Sequence, residues 1–195
     1  MIFFCMGTHS VHAAGVITIG GSSGNISPAP LFNPLDYNQD AEVFAFDVVN
    51  ALAVSPTVTI SNTGNVLGGA INVTDAVDWF SGNTLALDSN KNINVGARLS
   101  NLSGGTLRLT ANDGGVALNG AVEFTGSINI QATAGITQNN SHILRADGLA
   151  TFDAASSDIV LSGPANTFGS LDLTGNSITI REAGSSNLAA VDAGS

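Results

Sequence analysis

The sequence predicts an all-β fold, a right-handed parallel β-helix (solenoid) of about six rungs of roughly 22 residues each. Three observations support this prediction. Short segments with alternating apolar residues recur at a nearly constant interval, a second set of short apolar segments recurs in step with the first, and polar turns rich in Gly, Asn and Asp separate them. Such repetition is typical of a solenoid, in which one repeat buries its apolar face only against its neighbours.

The first set of segments begins at residue 57 and continues to residue 174. Each segment has the period of two that characterises a strand with one face on a core. Aligned on one apolar position, the segments are 27, 22, 21, 22 and 21 residues apart. The aligned residues are Val58, Leu85, Leu107, Ile128, Ala150 and Leu171.

Two further sets follow within each repeat. The second set is spaced by 22, 23, 20, 23 and 19 residues and comprises Ile71, Ile93, Val116, Ile136, Ile159 and Ile178. The third set is spaced by 22, 22, 20, 24 and 20 residues and comprises Phe80, Leu102, Phe124, Leu144, Phe168 and Leu188. We therefore expect three strands per rung, with like residues stacked ~4.8 Å apart.

An antiparallel sandwich is the competing all-β arrangement, but it gives no reason for apolar columns to stay in step over five intervals. The right-handed coil follows from the preference of parallel β crossovers, which are right-handed in roughly 98% of cases. Gln138 stands where other repeats have Val95 or Leu118. It therefore either breaks this column or marks a change of register.

The chain is divided into three parts. Residues 1–14 resemble the end of a signal peptide, either as a remnant or by chance. Residues 15–56 are expected to form an irregular capping segment. It has a strand at 16–19, a loop at 25–40 whose Phe32, Leu35 and Tyr37 pack on the solenoid, and a strand near 43–46. A short helix over 48–53, N-capped by Asp47, follows, with a strand over 43–49 as the alternative.

Residues 57–195 are expected to form the β-helix repeats. No amphipathic helix or polar capping rung follows the last repeat, so we expect the chain to be a fragment of a longer solenoid.

Composition excludes several classes of function. Only 10% of the residues are charged and the net charge is −10, which argues against a nucleic-acid partner. No apolar run approaches ~18 residues, so no transmembrane helix is predicted. Cys5 is the single cysteine, which leaves it no partner for an internal disulfide.

Four stretches carry a resemblance to a known family: residues 46–65, 70–100, 104–118 and 126–138. They resemble the repeat region of filamentous haemagglutinin-like exoproteins, the large adhesins of Gram-negative bacteria that are exported by two-partner secretion. The resemblance implies a secreted or cell-surface, outer-membrane associated scaffold whose partners are host or neighbouring-cell glycans or proteins. Asn33-Pro34 continues as Leu35-Asp36 rather than as the family's NPNG-type motif, so the outer-membrane transporter would be contacted through a part not present here.

Parallel β-helices also include polysaccharide lyases and hydrolases. Their active sites need clustered carboxylates beside a basic group. Asp153 with Asp158, and Asp75 with Asp78, are the nearest candidates, but no Lys or Arg joins them within one rung. The string GGSSG at 20–24 resembles a nucleophile elbow, yet the prolines that follow exclude the helix that this motif requires.

Metal and modification sites are equally unsupported by the sequence. His9, His12 and His142 do not form a ligand motif, and NDGG at 112–115 is interpreted as a turn. Four glycosylation sequons, at Asn25, Asn72, Asn101 and Asn139, are of the kind that arise by chance in such a composition. Trp79 is interpreted as a packed aromatic rather than a sugar-stacking platform.

The sequence therefore predicts no catalytic, cofactor-binding or metal-binding residues and no cofactor. The predicted function is that of a non-catalytic structural segment of a secreted or surface-exposed adhesin. The alternative is a carbohydrate-binding or polysaccharide-cleaving parallel β-helix, which is suggested by analogy of fold alone.

Overall fold

A computed structural model describes residues 9–12, 15–20, 41–63 and 69–194. Over these residues the protein is a parallel β-solenoid of about seven turns with one short helix, which confirms the predicted fold class. The interpretations placed on Cys5, on GGSSG and on the loop aromatics Phe32, Leu35 and Tyr37 lie outside the described residues.

The described residues form nineteen strands and one helix. In chain order these are β1 (His9–His12), β2 (Ile17–Ile19), β3 (Ala41–Val43), α1 (Ala45–Val54), β4 (Thr57–Ser61), β5 (Ile71–Val73), β6 (Val77–Trp79), β7 (Thr84–Ser89), β8 (Ile93–Val95), β9 (Leu99–Asn101), β10 (Thr106–Ala111), β11 (Val116–Leu118), β12 (Val122–Phe124), β13 (Ile128–Ala132), β14 (Ile136–Gln138), β15 (Leu144–Asp153), β16 (Ile159–Leu161), β17 (Thr167–Gly175), β18 (Ile178–Ile180) and β19 (Asn187–Ala193).

The strands stack into three faces. The first face consists of β1, β4, β7, β10, β13, the C-terminal parts of β15 and β17, and β19. The second face has the order β3-β2-β5-β8-β11-β14-β16-β18. The third face consists of β6, β9, β12 and the N-terminal parts of β15 and β17. Every strand pair is parallel, as expected when each strand lies against its counterpart one rung away.

The first two apolar columns have the predicted register. On the first face Leu85 pairs with Leu107, Leu107 with Ile128, and the column continues through Ala150 to Leu171. On the second face, Ile71 to Ile178 stack in the same way. Nearly all of these side chains are fully buried, so alternation and repeat spacing together place the core correctly.

The predicted third column is correct at Phe124 and Phe168 and wrong at its four other positions. The side chains of Phe80 and Leu102 are 79% and 53% exposed, because the inward-facing position is one residue earlier. The observed column is Trp79, Asn101, Phe124, Ala146 and Phe168. Leu144 lies two residues earlier, and Leu188 pairs with Leu171 on the first face. Asn101, a member of this column, is polar, so the apolar pattern of the sequence indicates its neighbour Leu102 instead.

Helix α1 takes the position beside β6 that a further third-face strand would occupy. It buries Val48, Ala51 and Leu52, and Ser81 Oγ donates a 2.6 Å hydrogen bond to the Leu52 carbonyl. The helix is longer than predicted, and its N-cap is Phe44 rather than Asp47. Asp47 lies in the first turn instead, where its charge is favourable to the helix dipole. No helix in the described segments is long and apolar enough to cross a membrane.

Gln138 interrupts its apolar column, but the register between β14 and β11 is unchanged. Gln138 pairs with Leu118 of β11. Its side chain is buried and forms two hydrogen bonds with the buried side chain of Asn166, of 2.8 and 2.7 Å. Gln138 Nε2 also donates to the His142 carbonyl at 2.8 Å. The two amides satisfy each other, which is the condition for burying polar groups at low cost.

Glycines form a further column at the corner between the third and first faces. Gly105, Gly126, Gly148 and Gly169 recur at intervals of 21, 22 and 21 residues. A Cβ atom on Gly126 would lie 2.2 Å from the Gly105 carbonyl oxygen, and one on Gly169 would lie 2.0 Å from that of Asp147. The rungs therefore meet backbone to backbone here, which leaves no room for a side chain.

Replacing Gly126 by alanine is expected to lower the free energy of unfolding by about 1–3 kcal/mol, because the methyl group overlaps a backbone atom that cannot rotate away. Urea denaturation monitored by circular dichroism measures the change. Gly184→Ala is the control, since a Cβ atom at Gly184 meets nothing within 4 Å. Equal stability of the two variants would contradict the close packing of this corner.

Candidate functional site

A shallow, open groove lies at the corner where the first face ends, and it has a volume of about 160 Å³. It extends over three rungs, at the ends of β10, β13 and β15. We call it the corner groove. It is lined by Thr110, Ala111, Asn112, Gln131, Ala132, Thr133, Asp153 and Ala155.

Small side chains end the first-face strands beneath this groove. Ala111 pairs with Ala132, and both are nearly completely buried because they face the core. The equivalent position of the preceding rung is Ser89, so small residues continue along this corner. Ala155, which is exposed, is the apolar residue of the lining that faces outward.

The polar groups of the corner groove differ from those of other corners. At other corners, buried side chains such as those of Asn62, Asn101 and Asn166 form hydrogen bonds with backbone groups of their own and of adjacent rungs. Within the described part of the chain, the side chains of Thr110, Asn112, Gln131 and Thr133 have no hydrogen-bond partner. These groups can therefore donate to and accept from a ligand without breaking an internal bond.

Asp153 stabilises the turn in the third rung of the groove. Its Oδ1 accepts a 2.9 Å hydrogen bond from the backbone N–H of Ala155. Ala155 has φ of 50°, in the left-handed region that alanine rarely adopts. The Asp153 side chain thus stabilises a backbone conformation that costs about 1–2 kcal/mol, and its second carboxylate oxygen has no partner among the described residues.

The other acids singled out in the sequence are not brought into one site. Asp158 accepts a 3.1 Å hydrogen bond from Asn176, and Asp78 binds Arg98 through two hydrogen bonds. Asp75 is exposed at the corner that follows β5. Among the residues that the structure describes, no group of three or more His, Cys, Asp or Glu side chains is placed to hold a metal ion.

The ion pairs of Asp78 and Asp88 join different rungs, so the residues of a single rung do not reveal them. Asp78 binds Arg98 and Asp88 binds Arg108, in each case 20 residues later and one rung away. Lys91 binds Asp113 in the same manner, 22 residues later. The repeat interval of the sequence is the signal that identifies these pairs, because it gives the separation between residues of neighbouring rungs. Three of the five basic residues are thus engaged in joining neighbouring rungs.

Arg145 and Asp147 form a fourth ion pair, with bonds of 2.8 and 2.7 Å. The hydrogen bond from Arg145 lowers the pKa of the Asp147 carboxyl group below its ordinary value. Because the folded-state pKa is lowered, the pair contributes stability above the unfolded value of about 3.9. This contribution is lost as the pH falls through the lower folded value.

Asp147→Asn is therefore expected to cost up to about 1 kcal/mol at pH 7, which is the range of exposed ion pairs. The difference from the unmodified protein should shrink as the pH falls from 5 toward 2. Urea denaturation at a series of pH values checks the prediction. A difference that stayed constant across this range would show that the ion pair is not its cause.

Comparison with known proteins gives one match. A family described as repeats of unknown function (DUF5649) matches residues 104–174, which is 71 of the 195 residues. No curated protein and no solved structure matches the chain. The matched region begins just before β10, ends within β17 and includes the whole corner groove. This part of the chain is therefore similar to a repeat family, in agreement with the periodic fold.

Proposed function

We propose that this protein is a non-catalytic structural segment of a secreted or surface-exposed adhesin of the filamentous haemagglutinin type. The observation that carries the proposal is the continuity of the core. The first and second columns stay in register from β4 and β5 to β17 and β18. A stack of this kind forms a stiff rod that presents its outer face along its whole length.

The distribution of polar groups supports a structural role. Corner amides join neighbouring rungs: Asn62 Nδ2 donates to the Gly15 carbonyl of the preceding rung at 3.3 Å, and its Oδ1 accepts from the Asn90 N–H of the following rung at 2.9 Å. On the outer surface, Asn94 donates to Asn72 of the preceding rung at 2.8 Å. Three basic side chains form ion pairs between rungs in the same way. These polar contacts hold neighbouring rungs together.

Surface labelling tests the proposal. Antibodies raised against the folded chain should label intact cells of the bacterium that produces it, and protease treatment of those cells should remove the label. Beads coated with the folded chain should adhere to epithelial cells or to neighbouring bacterial cells. Beads coated with the unfolded Trp79→Ala variant should adhere less. Labelling that appears only after the cells are permeabilised would contradict the proposal.

The alternative of a polysaccharide-cleaving enzyme has one observation in its favour, the presence of Asp153 in the corner groove. No second acid lines this groove, whereas glycoside hydrolysis ordinarily uses two carboxylates. A reducing-sugar assay over a panel of polysaccharides separates the two functions. Turnover that Asp153→Asn abolishes would establish the enzyme and overturn the structural proposal.

A further inference from the structure

We propose that Asp113 is a site of spontaneous covalent modification, at which the aspartate isomerises to isoaspartate through a cyclic imide formed with the nitrogen of Gly114. The site lies in the turn at residues 112–114, between β10 of the first face and β11 of the second. The proposal concerns the chemistry of the folded chain. It depends neither on the location of the protein nor on its partners.

The dipeptides that favour this reaction occur three times in the sequence, as Asp113-Gly114, Asn119-Gly120 and Asp147-Gly148. Glycine favours it because no Cβ atom shields its nitrogen from the preceding side chain. In a flexible peptide the neutral carboxamide of asparagine is attacked more easily than an ionised carboxylate. The sequence alone therefore predicts that Asn119 reacts first.

The fold changes this order by engaging two of the three glycine nitrogens. The N–H of Gly120 donates a 2.8 Å hydrogen bond to the Val95 carbonyl of the preceding rung. The N–H of Gly148 donates in the same way to the Gly126 carbonyl, at 3.1 Å. Each of these nitrogens must first break a hydrogen bond between rungs before it can attack a side chain, so both sites are protected.

The nitrogen of Gly114 is the exception. The N–H groups of Asn112 and Asp113 donate to carbonyls of the preceding rung at 2.8 and 3.0 Å. The N–H of Gly115 donates to Asn92 Oδ1 at 2.9 Å. The N–H of Gly114 has no acceptor among the residues that the structure describes. No backbone hydrogen bond therefore has to break before this nitrogen reacts.

The carboxyl group of Asp113 is also accessible. Its side chain is 77% exposed, and that of its ion-pair partner Lys91 is 43% exposed. Exposed ion pairs are weak, so this one opens and lets the carboxyl group turn toward the Gly114 nitrogen. At Asp147, by contrast, two hydrogen bonds from Arg145 hold the carboxylate and lower its pKa, which keeps it in the ionised, less reactive form.

The fold also requires glycine at position 114. A Cβ atom on Gly114 would lie 2.5 Å from the carbonyl carbon of Lys91 in the preceding rung. A larger residue, whose side chain would shield the nitrogen, therefore has no room here. The packing between rungs thus retains the reactive dipeptide at this corner.

The reaction consumes no reagent other than water, which it also returns. The Gly114 nitrogen forms a bond to Cγ of Asp113, and one carboxylate oxygen leaves as water with the amide proton and a proton from solvent. A second water then opens the imide and returns the proton to solvent. Attack at Cγ restores aspartate. Attack at the main-chain carbonyl carbon breaks its bond to the Gly114 nitrogen and leaves isoaspartate, with the peptide link running through Cβ and Cγ.

The test is peptide mapping of the full chain after prolonged incubation at pH 7, with electron-transfer fragmentation to distinguish isoaspartate from aspartate. Isoaspartate should form at Asp113 at least about tenfold faster than at Asp147, the factor that corresponds to breaking one backbone hydrogen bond. In urea these hydrogen bonds are lost. The rates at Asp113 and Asp147 should then converge, and Asn119 should react fastest.

Asp113→Asn provides a second measurement, in which the compared dipeptides are identical. The new amide at position 113 should lose ammonia at least about tenfold faster than Asn119 of the same molecules. Asp147→Asn is the matched control, because the N–H of Gly148 is hydrogen-bonded, and its new amide should be as slow as Asn119. Circular dichroism verifies that both variants are folded.

Three outcomes would overturn the proposal. The first is isoaspartate at Asp147 that forms as fast as at Asp113 in the folded protein. The second is equal loss of ammonia from the new amide at position 113 and from Asn119 in the folded Asp113→Asn variant. The third is a difference between Asp113 and Asp147 that persists in urea, because the local sequence and not the fold would then be its cause.

Discussion

Trp79→Ala is expected to lower the free energy of unfolding by about 3–5 kcal/mol, the range for removal of a buried large aromatic side chain. Trp79 is 1% exposed and packs edge-on against Phe124, with ring centroids 5.2 Å apart. Its indole N–H donates to the Asn83 carbonyl at 3.2 Å. The substitution thus opens a cavity, removes an aromatic contact and removes one of the two hydrogen bonds that the Asn83 carbonyl accepts. Urea denaturation at pH 7 measures the loss.

The next residue is the control for this experiment. Phe80 has a comparable aromatic ring but is 79% exposed, so Phe80→Ala should change stability by no more than about 0.5 kcal/mol. The pair of variants tests the orientation of β6 directly. A larger loss for Phe80→Ala than for Trp79→Ala would mean that the strand presents its opposite side to the core.

Asn101→Ala is expected to cost about 3–5 kcal/mol, because a buried backbone group without a partner costs about 1–3 kcal/mol and this side chain serves four of them. Asn101 is fully buried. Its Nδ2 donates to the carbonyls of Trp79 and Ser81, at 3.0 and 2.8 Å. Its Oδ1 accepts from the N–H groups of Ser103 and Gly105, at 2.9 and 2.8 Å.

A second substitution at Asn101 separates lost hydrogen bonds from lost volume. Asn101→Asp keeps the shape of the side chain and the two hydrogen bonds that Oδ1 accepts. It places a carboxylate oxygen against the two carbonyls to which Nδ2 donates in the unmodified protein. It should therefore be destabilised at pH 7, and less so near pH 3, where protonation restores a donor. Loss of stability by the alanine variant alone would show that the cavity, rather than the hydrogen bonds, dominates. Thermal unfolding of the three proteins at both pH values makes the comparison.

Much of the fold was predictable because two of its three columns are apolar in every rung. In the first, from Val58 to Leu171, and the second, from Ile71 to Ile178, the spacing alone gave the observed strand pairing. The third column alternates aromatic rings with smaller residues. Asn101 is small enough that Trp79 and Phe124 meet although they lie two rungs apart. No single-residue hydrophobicity signal marks an amide as a core residue.

The corner groove was not predictable to the same degree. The sequence places Asp153 near Asp158, whereas its neighbours in the groove are side chains of the two preceding rungs. The groove brings together residues 21 to 23 positions apart, which become neighbours only when the strands of successive rungs are paired. Once the register is known, reading down a column instead of along the chain identifies Thr110, Gln131 and Asp153 as neighbours.

The ion pairs between rungs bear on how proteins of this kind change length. Asp78 reaches Arg98, and Lys91 reaches Asp113, only because each partner sits one coil away. Duplicating or losing a complete coil keeps the inward side chains of every strand inward, whereas adding one residue to a strand turns its inward side chains outward. Gene-level insertions and deletions that preserve folding should therefore come in multiples of a whole coil.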